Sequence, residues 1–304
     1  LLFEIDVKLR AEPMLQTDES PYVLVALQEV KRMNYLTLVM LNSMEQLKKG
    51  LNGELNMSLQ MEELAEALTI NQVPGRNIFH QMSWEKFAWP SKRSLDGWFR
   101  DLVLRIKQLQ SWTEDLMRPL CVWISGLFNP MAFLTALMQG TGRVRNLALD
   151  NMTVETHATL MQERDKVTDH PVDGAYIDGL YIEGARWGGY TIEGANDEEE
   201  EEEFEEEDLY EISGTKCGGH ILDSRLKELL PRMPVMDVKA VQTQASWIAT
   251  EVGYIRPDPS VYNCPIYSTT FRGPTYIVLA TLKSVEPSTK WVLAGVAMIM
   301  QEDM

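Results

Sequence analysis

Hydrophobic residues in the first part of the chain recur three and four positions apart, which is the spacing of an α-helix. Ser20-Pro21 is typical of a helix start, with serine as the N-cap and proline in the first turn. No other proline or glycine follows before Gly50 and Gly53. The pattern predicts a first helix from Tyr22 to about Lys49, whose broad buried face is formed by Leu24, Leu27, Val30, Leu38, Leu41, Met44 and Leu47.

Two more helices are predicted by the same spacing. Ser58 begins a shorter helix that reaches about Ile70, and Glu62 and Glu63 lie in its first turns, where the helix dipole favours anions. The clearest helical pattern ends before Pro119 and places its apolar residues at Leu95, Trp98, Phe99, Leu102, Val103, Ile106, Leu109 and Trp112. The apolar faces of the first and third helices exceed what a small bundle can bury, so part of them is expected to cover another surface.

A fourth helix of about ten residues is predicted to begin at Asn129-Pro130 and to stop at Gly140 and Gly142. The segment Gly140–Arg143 is also the nearest match to a phosphate-binding loop. It follows a helix rather than a strand, and it lacks the Gly-Lys-Ser/Thr ending that holds phosphates. A helix C-terminus followed by a linker is the favoured interpretation.

After about residue 145 the segments become shorter and richer in Tyr, Val, Ile and Thr, with Gly, Pro or Asn between them. A short helix is predicted at about Ser224–Leu230. Strands are predicted near 151–156, 175–182, 235–242, 261–268, 275–282 and 290–300. This spacing suits an antiparallel sheet that curls or closes into a barrel. The predicted fold class is α+β, with a helical subdomain at 19–145 and a β-barrel-like subdomain at 146–304.

Charge is concentrated in one block of the second half. Eleven of the twelve residues from Asp197 to Asp208 are acidic, and without them the net charge of −17 would be −6. Like charges at adjacent positions repel, so the block predicts a disordered insertion at about 194–216. A neutral solvated insertion, an electrostatic tether and a calcium-binding segment are its three interpretations, in decreasing order of support. The acidic balance argues against nucleic acid as a partner.

The longest apolar run, Trp291–Met300, is half the length that a membrane-spanning helix needs, so it predicts a buried strand and no membrane partner. Three cysteines are too few and too scattered for a disulfide framework, which favours a reducing compartment. The sequence begins at Leu1 rather than at methionine, so we expect a piece of a longer or processed protein.

Candidate chemistry is sparse. Cys217 and His220 are three positions apart and could share a zinc ion, but no second pair of ligands accompanies them. No Gly-x-Ser-x-Gly segment is present, and the four histidines show no catalytic pattern. The sequence therefore predicts no catalytic, cofactor-binding or metal-binding residues, and no enzyme activity in this segment.

Several segments, in matching order along the sequence, resemble the C-terminal domain of dynein heavy chains. The most diagnostic is Gly126–Gln139. The others are Glu19–Asn34, Gly53–Ser58, Met61–Leu64, Trp98–Leu102, Leu104–Ile106, Gly179–Trp187, Met233–Val235, Tyr262–Tyr267, Arg272–Tyr276 and Trp291–Val296. The residues of Gly126–Gln139 and Gly179–Trp187 resemble axonemal rather than cytoplasmic dyneins. The acidic block is an insertion after Trp187, where the family has a short link.

The resemblance implies a non-catalytic domain that packs on the AAA+ ring of the same heavy chain and tunes motor output. Residues 1–18 would be the last helix of the sixth AAA+ module. ATP and Mg would bind in the upstream modules, and intermediate chains, light chains and microtubules would be reached through the rest of the motor. The expected location is the cytoplasm and cytoskeleton, in the axoneme of a cilium or flagellum. A stand-alone β-barrel that binds a small ligand, with the helices as a cap, and an enzyme of another type stay open as alternatives.

Overall fold

The computed structural model describes residues 20–75, 83–114, 119–171, 173–188, 211–212, 215–216, 220–223, 230–242 and 261–300. The protein forms two compact units. The described residues of the first, the helical unit, fall within 20–119 and 126–133, and those of the second, the sheet unit, fall within 120–125 and 134–300. The predicted helix at 1–18, the acidic block and most of the predicted helix at 224–230 lie outside the described residues.

The helical unit contains the first three predicted helices, which are confirmed close to their predicted bounds. They are α1 (Pro21–Leu51), α2 (Leu59–Thr69) and α3 (Leu95–Glu114). Ser58 is the N-cap of α2, and its side-chain hydroxyl accepts a hydrogen bond from the backbone N–H of Met61 at 3.4 Å. Pro21 begins α1 because the first turn needs no N–H donor from it.

Tryptophans form the centre of the helical unit. Trp98 of α3 stacks on Trp89 with ring centroids 5.0 Å apart and on Trp84 with centroids 6.2 Å apart. The indole N–H of Trp84 donates a hydrogen bond to the Ser43 hydroxyl of α1 at 2.9 Å, so this buried N–H group has a hydrogen-bond partner. Around them pack apolar residues of all three helices, among them Val30, Met33, Leu36, Leu47, Met61, Leu64, Leu102 and Leu109.

The fourth helix, α4 (Pro130–Arg145), is longer than predicted and runs through Gly140 and Gly142. The prediction that these glycines end the helix, or form a linker, was wrong. Gly142 lies where the backbone returns past the helix, and a Cβ there would come within 3.1 Å of the Leu147 carbonyl oxygen. The helix ends instead at Asn146, which has a φ of 55°. Asparagine is one of the few residues other than glycine that adopt this left-handed conformation readily.

The sheet unit is built on eight strands in the order β1-β3-β9-β2-β11-β10-β12-β4. Two short pairs accompany it, β5 with β8 and β6 with β7. In sequence order the strands are β1 (Cys121–Trp123), β2 (Met152–Ala158), β3 (Ala175–Asp178), β4 (Tyr181–Glu183), β5 (Ala185–Gly188), β6 (Glu211–Ile212), β7 (Thr215–Lys216), β8 (His220–Asp223), β9 (Met236–Gln242), β10 (Val261–Tyr267), β11 (Val278–Lys283) and β12 (Ala297–Ile299).

The α+β fold class is confirmed, but the sheet is mixed rather than antiparallel. Three pairs are parallel: β1 with β3, β10 with β12, and β11 with β2. Parallel neighbours need a crossover connection, and a helix between β11 and β12 supplies one. Among the described strands the two edges, β1 and β4, do not pair with each other, so the sheet does not close into a barrel.

The apolar run Trp291–Met300 is not one buried strand, as the sequence predicted. Its first part belongs to α5 (Ser288–Ala294), and only its last part forms β12. Gly295 separates the two because its φ of 68° is a left-handed conformation that ends a helix. Within α5, Trp291 is buried, and its indole N–H donates to the Ser284 hydroxyl at 2.7 Å, whereas Leu293 is exposed.

Candidate functional site

Helix α1 carries apolar side chains on two opposite sides. Its buried side includes Val25, Met33, Leu36 and Leu47, which pack into the helical unit. The single broad buried face that the sequence predicted was therefore wrong in part. Of its seven members, Val30 and Leu47 are buried, Leu27 is half-buried, and the exposed ones are Leu24, Leu38, Leu41 and Met44. Periodicity placed the apolar residues on a helix correctly but did not separate its two sides.

Four leucines define what we term the α1 outer face: Leu24, Leu27, Leu38 and Leu41. At about 100° per residue they fall within a sector of roughly 100°, nearly opposite Leu36. Leu38 is 52% exposed and Leu41 is 68% exposed, although neighbouring residues of the same helix are fully buried. Exposed leucines that line one side of a rigid helix are typical of a surface that contacts another protein part.

Helix α3 adds a smaller exposed apolar pair. Phe99 and Val103 lie one turn apart and are 37% and 47% exposed, while Trp98, Leu102 and Leu109 on the other sides are buried. The Phe99 ring meets the edge of Trp98 with centroids 5.5 Å apart, so its position is fixed by the core. Most of the predicted apolar face of α3 is thus buried within the unit, and this pair is its exposed part.

Glu29 anchors α1 from its buried side. Its carboxylate accepts hydrogen bonds from the backbone N–H groups of Phe128 at 2.6 Å and Asn129 at 2.9 Å, just before α4 begins. A carboxylate at this point satisfies free N–H groups and complements the helix dipole. Burial raises the pKa of Glu29, and these two hydrogen bonds, Arg32 and Arg105 oppose that rise.

Arg105 completes a buried polar cluster in α3. Its guanidinium lies 3.3 Å from the Asp101 carboxylate and stacks 3.9 Å from the centre of the Trp89 ring. Burial lowers the pKa of Arg105 to about 10, so the guanidinium stays charged at neutral pH. Sequence reasoning treated α1 and α3 as apolar faces with polar gaps and missed this cluster. The feature of the sequence that could have indicated the cluster is Glu29, a carboxylate four positions after the buried Val25 and therefore on the same side of α1.

The described residues hold no group of three or more His, Cys, Asp or Glu side chains that could bind a metal ion. Of the candidate zinc ligands, His220 lies in β8 and Cys217 falls outside the described residues. Burial raises the pKa of the Cys264 thiol to about 12 and also raises that of Cys121, so both stay protonated at neutral pH. Within the described ranges, no helix is both long and apolar enough to span a bilayer.

The comparisons with known proteins point to one family. The family model for the C-terminal domain of dynein heavy chains matches residues 2–300. The human dynein axonemal heavy chain 9 is 39% identical over 291 residues, which is 95% of this chain and 6% of that protein. The ciliary dynein beta chain of Heliocidaris crassispina is 38% identical over 284 residues, or 93% of this chain and 5% of that protein.

A third relative, the dynein beta chain of the flagellar outer arm of Chlamydomonas reinhardtii, is 37% identical over 295 residues. That match covers 97% of this chain and 5% of that protein. The relatives are named as axonemal, ciliary or flagellar dyneins, which agrees with the resemblance that the sequence segments indicated. The protein therefore belongs to the family of C-terminal domains of dynein heavy chains, and its relatives in that family are axonemal dynein heavy chains.

Proposed function

We propose that this domain docks on the AAA+ ring of its own heavy chain through the α1 outer face, and that docking modulates ATP-driven movement along microtubules. The observation that carries the proposal is the exposure of Leu24, Leu38 and Leu41 on one side of a helix whose opposite side is firmly packed. The full motor works in the axoneme of a cilium or flagellum, within the cytoskeleton and cytoplasm.

Energetics support a docked state. The full burial of an exposed leucine stabilises a complex by about 1.5–3 kcal/mol. The four leucines of the α1 outer face are only partly exposed, so covering them contributes less than four times this value. The contribution is still several kcal/mol, before the entropy cost of ordering the interface is subtracted. Because the protein spans only 5–6% of the relatives' length, the rest of the heavy chain is the nearest candidate to cover this surface.

The domain has a mechanical rather than a chemical role in this proposal. ATP and Mg bind in the upstream AAA+ modules, and the domain contributes no catalytic group. Intermediate chains, light chains and microtubules contact other parts of the motor. A docked domain acts on the ring by favouring some arrangements of the modules over others, which requires a difference in its contacts between those arrangements.

The test is a double substitution, Leu38→Glu with Leu41→Glu, in the full-length motor. Two charges on the α1 outer face oppose burial there, so we expect this domain to be cleaved faster by a protease and microtubule gliding velocity to change. Leu293→Glu is the control, because this leucine of α5 is 88% exposed. Cleavage and gliding equal to those of the control would contradict the proposal.

A further inference from the structure

The turn between α1 and α2 exposes apolar side chains where surface loops are usually polar. We term it the α1–α2 corner and define it by Leu51, Leu55, Met57 and Leu59. Leu51 and Leu59 are about 70% exposed, and Leu55 and Met57 are exposed as well. Single exposed leucines are ordinary, but four exposed apolar side chains within nine residues are unusual for a surface turn and are typical of an interaction surface.

The backbone of this corner has a defined conformation. The N–H of Gly53 donates to the Gly50 carbonyl at 3.0 Å, and the N–H of Glu54 donates to the Lys49 carbonyl at 2.9 Å. Gly53 has a φ of 75°, which suits a turn that closes a helix. The corner then leads directly into the Ser58 cap of α2. Its apolar side chains are therefore presented by a fixed turn, so binding a partner would cost little entropy to order it.

The exposed side of α2 continues the same surface with negative charge. Leu59, Glu62, Glu66 and Ile70 are three or four positions apart and lie along one stripe of exposed residues. On the opposite side of the helix, Met61 and Leu64 are buried in the core of the helical unit. The stripe thus places two carboxylates between two exposed apolar side chains.

The two glutamates are uncompensated within the described parts of the protein. Helix α2 contains no basic residue, and neither Glu62 nor Glu66 forms an ion pair with a described residue. Glu62 lies in the first turn of α2, where the helix dipole favours an anion, whereas Glu66 lies one turn later and is weakly repelled by Glu62. A cationic partner would remove that repulsion and form exposed ion pairs that salt screens, beside the hydrophobic contacts of the corner.

We propose that the α1–α2 corner and the α2 stripe together bind a basic amphipathic segment of the same heavy chain. The segment would carry apolar side chains for the corner and two lysines about one helical turn apart for Glu62 and Glu66. The occupant is assigned to the same polypeptide because about nineteen-twentieths of the relatives' length lies outside the matched region. This inference rests on the proposed docking to the ring and adds a second, electrostatic contact to it.

Zero-length carbodiimide cross-linking of the full-length motor tests the assignment, since the reagent joins carboxylates only to amines that contact them. Mass spectrometry is expected to find Glu62 or Glu66 joined to lysines of the upstream heavy chain, and these products should disappear in Glu62→Gln with Glu66→Gln. Glu163, an exposed glutamate of the sheet unit, is the matched control. Products no more abundant than those of Glu163, or products joined to another polypeptide, would overturn the inference.

Charge reversal separates this contact from the α1 outer face. Glu62→Lys with Glu66→Lys should raise the rate of proteolytic release roughly five-fold at low salt, and the difference should vanish as salt screens the ion pairs. Glu163→Lys should leave release unchanged. If Leu38→Glu with Leu41→Glu releases the domain and the charge reversal does not, the inference fails while the proposed function stands. If neither variant releases it, both fail.

Discussion

The Glu29 carboxylate connects separate stretches of the helical unit at a single point. It belongs to α1, accepts hydrogen bonds from Phe128 and Asn129 before α4, and lies near Arg105 of α3. Burying a carboxylate is unfavourable unless hydrogen bonds and nearby positive charge compensate it, and both are present here. Glu29 therefore adds a polar contact to the apolar packing that positions α1 and its outer face.

The stability contributed by Glu29 should change with pH. Burial raises its pKa in the folded state above the ordinary 4.5, so the folded protein holds this proton more tightly than the unfolded polypeptide. The contribution is therefore fully present below pH 4.5 and is lost as pH rises through the raised value. When the wild type is compared with Glu29→Gln by urea unfolding between about pH 4 and pH 7, the advantage of the wild type should shrink as pH rises. An advantage of the wild type that grows with pH would contradict a raised pKa of Glu29 in the folded state.

At the scale of single elements, the two sides of α1 differ in their role. Leu36 is fully buried in the core and Leu38 is 52% exposed, although they are two residues apart on one helix. The buried side holds the helix to its own unit, and the other side is left for a partner. This division is the structural basis of the proposed docking.

A matched pair of substitutions checks that division. Leu36→Ala should lower the free energy of unfolding by about 2–5 kcal/mol, because it leaves a cavity in a packed core. Leu38→Ala should lower it by less than about 0.5 kcal/mol, because the leucine is half exposed and its loss leaves no cavity. Urea unfolding of the two variants measures both values. Similar losses for the two leucines would show that the burial pattern of α1 is misassigned.

The helical elements were the most predictable part of the fold. The first-turn Pro21, the Ser58 cap and the strong periodicity of 95–112 depend on neighbouring residues alone, so sequence patterns located α1, α2 and α3 well. The end of α4 was missed because Gly140 and Gly142 are tolerated inside a helix and Asn146 provides the left-handed residue that ends it.

Features that depend on distant contacts were harder to predict. The apolar run at 291–300 divides into α5 and β12 because Gly295 turns the backbone and β12 finds partners in β4 and β10. Which leucines of α1 face the core could not be read from periodicity, because apolar residues occur on both of its sides. The α1 outer face was hard to predict for the same reason, because periodicity does not show which apolar side of the helix packs in its own unit and which is left for a partner.

In the whole motor, the α1 outer face is predicted to be covered. The most direct measurement is the rate of maleimide labelling at Leu38→Cys and Leu41→Cys in the full-length protein, quantified for each site by mass spectrometry. Leu293→Cys on α5 serves as the exposed reference. Docking predicts that both α1 cysteines react much more slowly than the reference, and that Leu38→Glu restores rapid labelling at Leu41→Cys. Labelling of both α1 sites as fast as the reference would contradict docking through this face.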